Sequence, residues 1–227
     1  MPFFDWRMFQ LVCGTAKAGD ALKAEMRSCA QALLDTVNYD IRLAVRVFDC
    51  FNEDDTITSS DGLLRIPLPR HASGEALCDF FPGKASGALS QCGIFAASVF
   101  GGLESDLLHH AVRVSLAEAA SAWMDCRLRE GLAEGLKMIM PGIGYSCCPD
   151  HSLKADVLAL LPPELGIRLT ESYAMLPESS VCGLVIAHPL AHYTDIHSLD
   201  SSELSDYARR RGISPASVRQ LLGYLLA

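Results

Sequence analysis

The sequence predicts an α+β fold with antiparallel strand pairing, and three observations carry that reading. Residues 41–68 hold strand-like runs joined by polar turns with no helix between them, which favours antiparallel pairing over βαβ units. Residues 92–100 and 181–187 are short, almost wholly apolar runs, as buried strands are. Around these lie segments with helical spacing at both ends and in the middle of the chain.

In order, residues 5–36 read as helical, with Leu22, Met26, Ala30 and Leu33 at helical spacing and a break at Gly14 or Gly19. Residues 41–52, rich in Val, Leu and Phe, form a strand. Asn52-Glu53-Asp54-Asp55 is a polar turn, Thr56-Ile57-Thr58 a short strand, and residues 63–68 alternate around Pro67 as an edge strand does. Residues 71–83 are ambiguous up to the Pro82-Gly83 turn. The buried strand 92–100 closes on Gly101-Gly102. The longest helical pattern then runs from residue 104 to about 137. Leu107, Ala111 and Val114 mark one side of it, and Glu118 falls on that side. A carboxylate in an apolar stripe is either paired or used, because burying it alone is too costly.

Ser152 caps a helix that Pro162-Pro163 terminates. Residues 166–175 read as a strand and 181–187 as another. His188-Pro189-Leu190-Ala191 turns the chain into 193–197, giving a hairpin. Ser201 or Ser202 caps a helix stopped by Gly212, and Ser214-Pro215 starts the last one, to residue 225. No repeat, low-complexity linker or boundary divides the chain, so residues 1–227 read as one domain.

Composition excludes several classes of function. The chain has 227 residues, 50% of them apolar and 20% charged, enough for a real core and too apolar for disorder. A net charge of −8 argues against a nucleic-acid or anionic-membrane surface. No apolar run reaches the ~20 residues that span a bilayer, and residues 1–6 lack the basic-then-apolar order of a signal peptide. Five of the nine cysteines (Cys13, Cys29, Cys50, Cys92, Cys182) sit singly in apolar patterns, as reduced cysteines do. The expectation is a cytoplasmic protein.

One stretch is dense in chemistry: Met140-Pro141-Gly142-Ile143-Gly144-Tyr145-Ser146-Cys147-Cys148-Pro149-Asp150-His151. On pattern alone it is either a tight connection between two helices or a ligand loop, since Gly142 and Gly144 let a ligand approach the main chain. A metal site is disfavoured, because adjacent cysteines serve one tetrahedral ion poorly and no CxxC or HxxxH completes the set. Gly142-Ile143-Gly144 lacks the later glycine of a dinucleotide fingerprint. Residues 207–218 mimic a helix-turn-helix, but the last helix carries only Arg219 and the chain is acidic, so a packed helix pair is the better reading.

Several dispersed motifs in one order carry a resemblance. They are Pro2-Phe3-Phe4, Leu116-Ala117-Glu118-Ala119, Gly144-Tyr145 with Cys148-Pro149-Asp150-His151, Leu169-Thr170-Glu171-Ser172-Tyr173-Ala174-Met175, Ala187-His188-Pro189 and Asp206-Tyr207-Ala208-Arg209-Arg210-Arg211-Gly212. Over nearly its whole length the chain resembles the C-terminal activation domain of cobalamin-dependent methionine synthase. The resemblance implies a single C-shaped α+β domain around a bent antiparallel sheet. It implies binding of S-adenosylmethionine, reductive methylation of cob(II)alamin carried by a partner methionine synthase core, and a flavodoxin-like electron donor. The implied ligand residues are Glu118, Met140, Gly142, Gly144, Tyr145, Tyr193 and Thr194, with no metal and no catalytic side chain. The family has arginine at the place of Met140, and an aspartate just ahead of the Pro-Phe-Phe segment that this sequence does not include. Methionine cannot pair with the ligand carboxylate. Two expectations follow: a stand-alone reactivation subunit, or a docking module for a corrinoid protein that has lost the ligand.

Overall fold

Apolar, strand-forming runs set the sheet, and glycines and polar turns set its limits. The computed structural model describes residues 3–71 and 74–226, so Pro2 of the quoted Pro-Phe-Phe segment lies outside the described residues. Helix α1 (Trp6–Val12) is capped by Asp5, whose Oδ1 accepts the amides of Arg7 and Met8 at 2.9 Å each. Gly14 (φ +69°) and the cap Gly19 bracket the one break that separates it from α2 (Asp20–Thr36), as expected of one or the other. Strands β1 (Asp40–Glu53), β2 (Thr56–Ser59) and β3 (Arg65–Pro67) follow, then β4 (Ser90–Phe100). Helix α3 (Leu107–Glu130) leads to β5 (Lys137–Ile139) and the short α4 (Leu153–Leu158). The pair β6 (Arg168–Leu169) and β7 (Met175–Leu176) precedes β8 (Ser180–His188), and α5 (Ser201–Arg211) and α6 (Pro215–Leu222) end the chain. The main sheet has six strands in the order β3-β2-β1-β4-β8-β5. β2 pairs antiparallel with both β1 and β3, and β5 with β8, so Pro67 does sit on an edge strand.

Four expectations are corrected. The helix from 104 does not reach 137: it stops at Glu130, and Gly135 in the left-handed region (φ +83°) turns the chain into β5. Its buried face runs through Val112, Leu116 and Ala120, while Leu107 is 59% exposed. Residues 166–175 are not one strand, because Tyr173 at φ +61° folds them back as the β6–β7 hairpin. Residues 193–197 form no strand, and Asp200 rather than Ser201 or Ser202 caps α5.

The chain divides into two compact units. The first comprises Met1–Ala44, Ala96–Glu130 and Pro163–Val181. Its core packs Phe4, Phe9, Ala30, Val99, Val112 and Leu116, with Trp6 4.6 Å from the Phe4 ring. The second comprises Val45–Phe95, Gly131–Pro162 and Cys182–Ala227. There α5 and α6 share a core of Leu204, Tyr207, Ala208, Val218 and Leu222, closed by Ile196 and Leu199. No helix among the described residues is long and apolar enough to cross a membrane.

Candidate ligand-binding loop

The stretch 140–151 lies in the second unit and begins as a continuation of the sheet. Beyond the β5–β8 pairs, Gly142 bridges Gly183, the Ile143 amide donates to the Cys182 carbonyl (3.1 Å), and the Leu184 amide donates to the Pro141 carbonyl (2.9 Å). This approach needs glycine at 183: a Cβ there would stand 2.3 Å from the Pro141 oxygen. Gly144 then takes φ +99°, and a Cβ on it would meet the His151 ring at 2.6 Å. Its amide closes the loop on the Cys148 carbonyl at 2.8 Å.

The floor of the loop is polar and buried. Asp150 is fully buried, and its Oδ1 accepts the Ser152 amide (2.8 Å) and hydroxyl (2.6 Å). Its Oδ2 accepts the hydroxyl of the fully buried Tyr207 at 2.7 Å. Arg211 donates to Ser152 Oγ (2.9 Å) and to Asp156 (2.6 Å). Its Nε lies 3.4 Å from Asp150 yet forms no hydrogen bond, so that attraction acts through charge alone. Ser152 is therefore a link between Asp150 and Arg211, not the side-chain helix cap expected of it. Burial, and then the Asp150 charge, pushes the Tyr207 phenol well above its usual range. Burial likewise raises the Cys148 thiol, and lifts Cys147 to about 11 and Cys182 to about 12. These cysteines are neutral packing groups at neutral pH. Lys154 Nζ sits 2.9 Å from His151 Nδ1, and burial followed by that ammonium lowers the His151 pKa.

Above this floor stand the flat groups. Tyr145 is 63% exposed and Tyr193 54%, while Ile143, Cys147 and Cys148 beneath are buried. The Tyr145 ring lies over Gly142, where a Cβ would come within 2.6 Å of it. The Met140 amide donates to the Tyr193 hydroxyl at 3.2 Å, Ser146 Oγ donates to Asp195 at 2.5 Å, and the Ile196 amide donates to the Ser146 carbonyl. Six of the seven expected ligand residues (Met140, Gly142, Gly144, Tyr145, Tyr193 and Thr194) thus belong to one assembly in the second unit. Thr194 is buried, and its hydroxyl finds no hydrogen-bond partner among the described residues.

Glu118 belongs to the first unit, half-buried on α3 between Ala117 and Ala119. It forms no ion pair or hydrogen bond among the described residues. Burial raises its pKa, and the Asp5 charge raises it further.

Two other clusters are self-satisfied. Asp55, Cys78 and Asp79 have metal-like proximity, but Arg70 occupies them with ion pairs to both carboxylates. The arginine run of the helix-turn-helix mimic is also spent internally: Arg209 on Asp54 and Asp206, Arg210 on Glu203 and Asp206, Arg211 on Asp156.

A family model described as vitamin B12 dependent methionine synthase, activation domain, matches residues 20–212. The chain belongs to that family. In the solved structures it is similar to the MetH reactivation domain bound to AdoHcy, at 25% identity, covering 99% of this chain and 86% of that one, with a TM-score of 0.84. The α+β fold of this activation domain, with its large antiparallel sheet flanked by helices, is that of the reactivation domain. The loop's anchors Tyr207 and Arg211 lie beside Asp150, a neighbourhood that spacing could not give. Their only sequence signal was co-membership in the quoted motifs.

Proposed function

We propose that this activation domain binds S-adenosylmethionine at the 140–151 loop and serves the reductive reactivation of a cobalamin-carrying methionine synthase core. The observation that carries the reading is the loop itself: two exposed tyrosines held by buried backbone pairing and by the Asp150 network, in a chain similar to a domain that binds AdoHcy. Tyr145 and Tyr193 offer flat faces and a hydroxyl for adenosine, Gly142 and Gly144 open the main chain, and the Thr194 hydroxyl, without a hydrogen-bond partner among the described residues, suits a polar ligand atom. The carboxylate of Glu118 suits an ammonium or ribose hydroxyls. S-adenosylmethionine supplies an electrophilic methyl group on a sulfonium. The protein's part is binding and orientation, and cobalt is the acceptor. A flavodoxin-like protein is the proposed electron donor.

Calorimetric titration with S-adenosylmethionine tests this, with saturable binding expected. A second assay adds the chain and a reductant to an oxidised core lacking its own activation domain, and recovery of turnover that requires S-adenosylmethionine is expected. One observation favours a second reading. Met140 offers no cation to the ligand carboxylate, as a docking module that has lost the ligand would not. Absence of binding into the millimolar range, with retained association with the core, selects that reading.

A further inference from the structure

A cavity of about 450 Å³ in the first unit, at the C-terminal end of β4, lies among residues to which neither the sequence nor the loop assigns a role. Its size falls within the range of small-molecule sites, roughly 300–1,000 Å³. Arg113 in its wall is only 7% exposed. Nη1 of that guanidinium donates to the carbonyls of Gly101 (3.0 Å) and Leu103 (3.2 Å), which fixes its direction. Among the described residues it has no carboxylate at ion-pair distance. A buried guanidinium without a counter-charge is costly unless something anionic arrives. Arg168 adds a second, exposed guanidinium, also without an ion pair among the described residues.

The opposite charge is present in equal measure. Glu104 and Glu178 line the same cavity, and Glu178 lies 3.6 Å from His110 while remaining 73% exposed. Two guanidinium groups against two carboxylates select neither a bare anion nor a bare cation. His110 and Ser179 also line the cavity, and its apolar side is formed by Val99, Leu176, Pro177 and Phe100, whose ring centroid lies 4.4 Å from the Arg42 guanidinium.

We propose that this cavity binds a zwitterionic small molecule, an α-amino acid with an apolar side chain. Its carboxylate meets Arg113 and Arg168, its ammonium meets Glu104 and Glu178, and its side chain rests on Phe100 and Leu176. The site is independent of the loop, so it stands or falls separately from S-adenosylmethionine binding.

The test is calorimetric titration of the full chain with L-methionine and L-leucine, beside their methyl esters, their N-acetyl derivatives and inorganic phosphate. Saturable binding of the free amino acids alone is expected, unchanged by prior addition of S-adenosylmethionine. Arg168→Ala and Glu178→Gln, both at exposed positions that folding tolerates, each weaken it about tenfold or more, as loss of a charge-assisted hydrogen bond does. The same variants titrate with S-adenosylmethionine as the parent does. No saturation by either amino acid into the high-millimolar range overturns the proposal. So does equal binding of phosphate or of the blocked derivatives, or an affinity that neither variant alters.

Discussion

Burial, and then the Asp5 charge, disfavour the ionised form of the Glu118 carboxyl. Its folded pKa lies above the ordinary 4.5, so the folded state prefers the protonated form. The stability this preference contributes is complete below about pH 4.5 and is lost as pH rises through the folded value. Glu118→Gln should therefore raise the melting temperature at pH 7–8, with the gain shrinking towards pH 4, and should weaken S-adenosylmethionine binding. Thermal melts across pH and a titration read both. A melting temperature unchanged at pH 8 would refute the first half. His151 runs the other way. Its pKa is depressed, so the stability it contributes is present above about 6.5 and falls as pH drops below that value. Gly144→Ala should cost about 1–3 kcal/mol, since a side chain at φ +99° is strained and its Cβ would also press on the His151 ring. Denaturant unfolding measures it.

Elements explain why some of the site was legible and some was not. The apolar runs that became β4 and β8 were plain from composition, because strands buried on both faces leave a continuous signal. The three-residue β5 was invisible, since the helical pattern was carried to about residue 137 and three residues are too few to show a strand's alternation. The expected 193–197 strand failed because one amide, that of Ile196, pairs with the loop, and the segment otherwise has no strand partner. The ligand loop was legible through its glycines, yet its support was not: Asp150 and Tyr207 are separated by 57 positions, and no local pattern joins them. Tyr207→Phe removes one donor from a buried carboxylate and should cost about 1–3 kcal/mol. If the loop depends on that floor, S-adenosylmethionine affinity should fall with it, while the corresponding change at the exposed Tyr224 should leave both unaltered.

At the scale of the molecule, Glu118 lies in the first unit and the loop with Tyr193 in the second. No spacing argument could have grouped them, and only the family motifs did. Met140→Arg is the decisive whole-site variant. Restoring a cation should tighten S-adenosylmethionine binding about 10- to 150-fold, the worth of a charge-assisted hydrogen bond. Unchanged affinity would mean that this ligand does not place its carboxylate there.

The coupling of Asp150 to α5 bears on where the chain tolerates interruption. The family match ends at residue 212, one position after Arg211 and before α6 begins. A stop codon just after Gly212 would leave every hydrogen-bonding partner of Asp150 in place while stripping Val218 and Leu222 from the back of Tyr207. A frameshift ahead of Asp206 would delete the phenol and the guanidinium together, and the loop would lose its floor although none of its own codons had changed.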